Sequence, residues 1–143
     1  MREAEEAVRV IAGHLTTPLR FKVDEREIRL YETVRRGLQA GAELQGPSVL
    51  RHTPGYDRLS KAAADGHAAR VELLKLHGGL AHFVAGHLAE HGLPREHVLK
   101  AAAGHLFHSL ISYAQGNRSQ RFFFHVYPGL LRGEAVALRA HLA

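Results

Sequence analysis

The chain has 143 residues and a net charge of +5, with 19 Lys and Arg, 14 Asp and Glu and 12 His residues. Because it contains no cysteine, disulfides, iron-sulfur clusters, thiolate zinc sites and cysteine nucleophiles are excluded. The hydrophobic fraction of 45% predicts a folded chain, and no apolar run reaches the roughly 18 residues of a membrane span.

Helical spacing of apolar residues begins at the N-terminus. It predicts a first helix over residues 2–15, whose acidic start is unlike a secretory signal peptide, so we expect a cytoplasmic protein. Apolar and basic residues then alternate over 19–23, which favours a short strand. Asp24 followed by Glu27 is typical of a capping box and predicts a second helix that ends near Gly41.

Gly and Pro residues recur over residues 42–56, in the middle of the chain. Residues 42–56 are predicted to form a loop that includes a short strand at about 48–52. A long helical pattern follows over 57–91, where the adjacent Gly78 and Gly79 permit a kink or a break into two helices.

A further apolar stripe predicts a helix over 95–114. The aromatic segment 121–127 favours a strand, and Pro128 and Gly129 separate it from a last helix that runs to Leu142. We therefore expect residues 1–143 to form a single, mainly α domain of five or six helices. The alternative is an α+β domain with short strands at about 19–23, 48–52 and 121–127.

Positive charge is concentrated in the C-terminal third. Residues 97–133 contain no carboxylate, but hold four Lys and Arg, four His and six of the ten aromatic residues. Guanidinium groups neutralise phosphates and aromatic rings stack on bases, so this pattern predicts a surface for single-stranded nucleic acid. The predicted contact residues are Lys100, Asn117, Arg118, Arg121, Phe123, His125, Tyr127 and Arg132. The alternative is that the aromatic rings fill the core and the arginines are only solvated.

Histidines four residues apart on a helix can share a metal ion. Helical phasing places His87 and His91 in the middle of an apolar stripe, which predicts that both face inward. The segment HLAEH resembles the H-x-x-E-H motif of inverzincin metalloproteases, and this resemblance implies two zinc-ligating histidines with Glu90 as general base. The alternative is a histidine pair satisfied within the core or at an interface.

Three other histidines, those of the following helix, are predicted to face solvent. They lie opposite the apolar stripe of residues 95–114 and are His97, His105 and His108.

The spacing R-x(4 to 6)-H is similar to the signature of HEPN-type ribonucleases, which are small helical proteins. Its matches here are Arg9 with His14, Arg70 with His77, and Arg118 with His125. Three matches in one chain show how permissive this spacing is. Glycine-rich phosphate loops and the G-x-S-x-G elbow do not occur, so an NTPase or a serine hydrolase is not expected.

These patterns favour a non-catalytic binding module without a cofactor, whose partner is single-stranded nucleic acid. A first alternative is a metal-binding protein or metal-dependent hydrolase that uses His87, Glu90 and His91 with zinc or haem. A second alternative is a protein-protein adaptor or a homo-oligomer. No membrane partner is expected.

Overall fold

A computed structural model describes residues 6–7, 9–10, 24–46, 53–116 and 121–142. It is mainly helical, as predicted, and residues 6–7 and 9–10 are helical too. The four complete helices are α1 (Glu25–Leu44), α2 (Pro54–Glu90), α3 (Arg95–Gln115) and α4 (Phe122–Leu142). Five or six helices were expected, and the described residues contain no strand. The strands predicted at 19–23 and 48–52 lie outside the described residues.

Two side-chain caps fix where α1 and α2 begin. Asp24 caps α1 as predicted, because its Oδ1 accepts a hydrogen bond from the Glu27 N–H at 2.8 Å. α2 begins three residues earlier than expected, since Thr53 Oγ1 accepts from the Tyr56 N–H at 3.2 Å and Pro54 occupies the first helical position. Proline suits that position because its fixed φ is helical and no partner is needed for an N–H.

Of the kink or break that Gly78 and Gly79 permit, the break does not occur, because α2 is one uninterrupted helix of 37 residues. Both glycines are buried against neighbouring helices, and this packing outweighs their weak helix propensity. α2 ends in a Schellman motif: the Leu93 N–H donates to the Leu88 carbonyl at 3.3 Å, and Gly92 adopts a φ of 89°.

The four helices pack antiparallel to their neighbours in sequence. Tyr31 of α1 meets His77 of α2, whereas Gly37, further along α1, approaches Gly66 near the start of α2. α3 returns along α2, and α4 returns along α3. One continuous apolar core takes side chains from all four helices and from Ala7. α1 thus packs on α2 between about Ala62 and His77, and α4 packs on α2 from His77 onward, where Phe122 covers the His77 ring.

The predicted strand at 121–127 is wrong, because these residues form the start of α4. Phe122, Val126 and Leu130 recur every fourth residue and are all buried, so a helix removes them from water on one face. This burial outweighs the β propensity of the aromatic residues. Pro128 lies on the exposed side of the second turn, where it removes a single backbone hydrogen bond.

Candidate nucleic-acid interface

Positively charged and titratable side chains meet where α4 packs on α3. His125 and Arg132 lie about 20° apart around α4 and share one face, and Arg121 immediately precedes α4, with its carbonyl accepting from the His125 N–H. His105 and His108 of α3 lie beside this face. We call these five residues the cationic seam. Arg121, Arg132 and His108 are exposed, whereas His105 and His125 are half-buried.

Two close contacts hold the histidines of the cationic seam in place. His125 Nε2 lies 3.2 Å from Ser112 Oγ on α3. His105 packs directly on Gly129 of α4: a Cβ at Gly129 would lie 2.6 Å from His105 Nε2 and 3.8 Å from Arg132 Nη2. Glycine is therefore required at this position for the imidazole to lie between the helices.

Burial controls the charge of these histidines. It lowers the pKa of His105, and the neighbouring His108, Arg132 and His125 lower it further, against a hydrogen bond with the Val126 backbone. Burial also lowers the pKa of His125. Both shifts favour the neutral imidazole at pH 7, so His105 and His125 add little to the positive charge of Arg121 and Arg132.

The structure brings together only some of the predicted contact residues. Arg121, His125 and Arg132 join the cationic seam, but Lys100 lies about 140° around α3 from His105 and faces solvent elsewhere. Tyr127 is half-buried and packs against the core. Asn117, Arg118 and the side chain of Phe123 lie outside the described part of the chain.

Two seam histidines were not among the predicted contact residues, although their exposure was predicted. His97 and His108 are exposed as expected, but His105 is half-buried. The position predicted for His105 is wrong: it lies about 20° around α3 from the buried Val98, at the edge of the buried face, and it packs on Gly129 of α4. The signal that could have found it is Gly129, which leaves room for a side chain from a neighbouring helix.

The inward orientation predicted for His87 and His91 is wrong, because both residues are exposed, as is Glu90. Their rings stand edge to face with centroids 5.2 Å apart. His91 caps the C-terminus of α2. Among the described residues, no group of three or more His, Asp or Glu side chains is arranged to hold a metal ion.

The error in phasing α2 comes from small residues. Gly78, Ala81 and Ala85 are buried, so the inner face of the helix lies further from the histidines than the large side chains suggest. Phe83, counted as part of the apolar stripe, is 51% exposed. Close helix packing favours small residues, and a stripe drawn from large hydrophobic residues alone omits them.

The HEPN-like pair of Arg70 and His77 lies in the core, at 6% and 4% exposure. Arg70 Nε donates to the Phe107 carbonyl at 2.9 Å, and its guanidinium carbon lies 3.7 Å from the centre of the Phe107 ring. These contacts give Arg70 a packing role between α2 and α3, whereas His77 packs against α1 and α4. The other two matches include Arg118 and His14, which lie outside the described residues.

A second polar cluster is completely enclosed between α1 and α2. Glu27 is 0% exposed, accepts a hydrogen bond from the Tyr31 hydroxyl at 3.0 Å and lies 3.1 Å from His77 Nε2. The Phe122 ring covers His77 with centroids 4.5 Å apart. The sequence did not predict this cluster, because Glu27 was assigned to the capping box. The spacing of Glu27, Tyr31 and Val34 on one face of α1 was the available signal.

Comparisons of the chain with protein-family models, with curated proteins and with solved structures yield no significant match. In the described residues, no helix combines the length and the apolar character needed to cross a membrane.

Proposed function

We propose that the chain is a non-catalytic module that binds single-stranded nucleic acid through the cationic seam. The observation that carries this proposal is the presence of two exposed arginines, Arg121 directly before α4 and Arg132 on it, beside three histidines. Residues 97–133 contain no carboxylate that could repel phosphates. A cytoplasmic location, where single-stranded RNA occurs, is compatible with this role.

The charge of the seam limits the affinity that we expect. Two arginines that each neutralise one phosphate correspond to a salt slope of about −1.4 on a single strand. Binding is therefore expected to be weak and to depend strongly on salt. The exposed imidazole of His108 supplies a further hydrogen-bond donor to phosphate oxygens.

Fluorescence anisotropy with a labelled oligo(U) of about 12 nucleotides, a length in the range of single-strand binding sites, tests the proposal at low salt. We expect Arg121→Gln and Arg132→Gln each to weaken binding roughly three- to tenfold and to flatten the salt dependence. Arg36→Gln is the matched control, because Arg36 is an exposed helical arginine on α1. Absence of binding at low salt, or an equal loss in the control, would contradict the proposal.

The metal-dependent alternative has less support, because His87, Glu90 and His91 gain no further ligand among the described residues. Elemental analysis of the purified protein checks it directly. The homo-oligomer alternative is checked by light scattering. A stable dimer with bound zinc and no affinity for oligonucleotides would favour these alternatives over nucleic-acid binding.

A further inference from the structure

An apolar pocket of about 280 Å³ opens between α2, α3 and α4. It lies beyond the part of α2 that α1 covers, at the C-terminal end of α2 and the N-terminal end of α3. Buried side chains form its inner wall: Val84, Leu88, Val98, Ala102 and Leu130. Such a concave, mostly apolar site with few polar groups is typical of small-ligand binding.

The polar groups of this pocket are confined to its rim. Among the described residues that line the pocket, His97 and His105 carry the polar side chains. Gly129 also lines the pocket, and both His105 Nε2 and Arg132 Nη2 lie within 4 Å of the point where its Cβ would sit. The pocket thus pairs an apolar interior with an exposed guanidinium group at one edge.

We propose that this pocket binds a small amphipathic anion, namely an apolar chain or ring of about ten carbon atoms that carries one carboxylate. The apolar part would lie against Leu88 and Leu130, and the carboxylate would remain at the rim beside Arg132. A guanidinium group can donate two parallel hydrogen bonds to a carboxylate, and at the rim the anion stays partly solvated.

The size and chemistry of the pocket both restrict the ligand. A cavity of about 150 Å³ accommodates benzene, so 280 Å³ holds a ring with a short chain or a medium-length alkyl chain. A nucleobase fits less well, because its several donors and acceptors would be buried with only two imidazoles to satisfy them. The pocket is therefore suited to an apolar ligand rather than to a base of a bound nucleic acid.

Isothermal titration calorimetry with decanoate and with decan-1-ol tests both parts of the inference. We expect the wild-type protein to bind decanoate about tenfold more tightly than decan-1-ol, the lower end of what a hydrogen bond to a charged group contributes. Arg132→Gln should remove this preference and leave the affinity for decan-1-ol unchanged. If the wild-type protein binds decanoate and decan-1-ol equally tightly, the proposed contact between the carboxylate and Arg132 is wrong.

A substitution that fills the pocket tests whether the ligand binds there. Ala101 is exposed and lines the pocket, so Ala101→Phe should block both ligands without disturbing the core. Ala64→Phe is the matched control, because Ala64 is an exposed alanine in the interior of α2 outside the pocket lining, and it should retain both affinities. Undiminished decanoate binding by Ala101→Phe would place the site elsewhere and overturn the inference.

If Ala101→Phe does not fold, a titration of the wild-type protein still tests whether decanoate binds in the pocket. The backbone amides of Gly129 and Gly133, which line the pocket, should shift in ¹H–¹⁵N spectra on addition of decanoate. The amide of Gly41, which lies on α1 outside the lining, should not. No shift at either pocket glycine at millimolar decanoate overturns the proposal.

Discussion

Glu27 shows how a carboxylate is accommodated in a core of this size. Its side chain is completely buried, and the Tyr31 hydroxyl and the His77 imidazole lie at hydrogen-bond distance from the same oxygen, Oε2. A buried carboxylate is tolerated only when such groups replace its water shell. Loss of the Tyr31 hydroxyl or of the His77 imidazole is therefore expected to destabilise the fold.

We expect Tyr31→Phe to lower the free energy of unfolding by about 1–3 kcal/mol, since the ring is kept and only the hydroxyl, which donates to Glu27 and lies 3.3 Å from His77 Nε2, is lost. Urea denaturation measures the change. Tyr56→Phe is the control, because Tyr56 is a partly exposed tyrosine at the start of α2, and it should stay within about 0.5 kcal/mol of the wild type. Equal effects of the two substitutions would show that the hydroxyl of Tyr31 contributes nothing.

The lowered pKa values of His105 and His125 predict a loss of stability in mild acid. Between the unfolded value of 6.5 and the lower folded values, the unfolded chain binds more protons, so stability falls as pH falls through this range. The urea midpoint should therefore be lower at about pH 5.5 than at about pH 7.5. His125→Gln should reduce this difference. A urea midpoint that rises on acidification would contradict the predicted loss of stability.

At the scale of residues, helical periodicity predicted the orientation of some histidine side chains and failed for others. The exposure of His97 and His108 followed from the periodicity of α3, but the orientation of His87 and His91 did not follow from that of α2. α2 is contacted by other helices over much of its circumference, so a single apolar stripe does not describe it. Helical phasing is informative only where one face alone is covered.

At the scale of elements, the end of α2 depends on one backbone conformation. Gly92 has a φ of 89°, a conformation that costs other residues roughly 1–2 kcal/mol. Gly92→Ala should lower the free energy of unfolding by about that amount. Gly41→Ala is the matched control with the opposite sign: Gly41 lies in a helix with open space around it, so alanine should stabilise by roughly 0.5–1 kcal/mol. Thermal unfolding of the two variants should shift in opposite directions.

The helix boundaries show which local signals were reliable. The cap at Asp24 was predicted and found, because it depends on residues within one turn. The start of α4 was not predicted, since a run of aromatic residues suits a strand as well as a helix. Burial of Phe122 beside Tyr113 and His77 decides for the helix, and these contacts join residues from three helices. A pattern within one segment of the sequence cannot reveal these contacts.

At the scale of the whole molecule, one close approach fixes how α1 lies on α2. A Cβ at Gly37 would lie 2.7 Å from the Gly66 Cα, so the two backbones are nearly in contact. We expect Gly66→Ala to force the helices apart and to destabilise the protein by about 1–3 kcal/mol, as overpacking does. Urea denaturation measures it against Gly41→Ala. A neutral effect would mean that the helices separate without loss of packing.

The fold class could be predicted from composition and periodicity, whereas the arrangement of the helices could not. The cationic seam combines α3 and α4 because Gly129 admits His105, and the pocket is lined by residues of α2, α3 and α4. Both features follow from contacts between segments distant in sequence. The clustering of His125 and Arg132 was predictable in part, because the two share one face of a single helix.

The continuity of α2 has a consequence for how the molecule opens. At 1.5 Å per residue, α2 is about 55 Å long, and α1 and α4 meet on it at His77, whose ring Phe122 covers while Glu27 lies 3.1 Å from its Nε2. Detachment of either helix would expose this buried polar cluster, so α1 and α4 should open together rather than one at a time. Amide hydrogen exchange should therefore give similar opening free energies for the parts of α1 and α4 beside His77. Because the apolar pocket is open at its rim, a ligand can leave it without this opening.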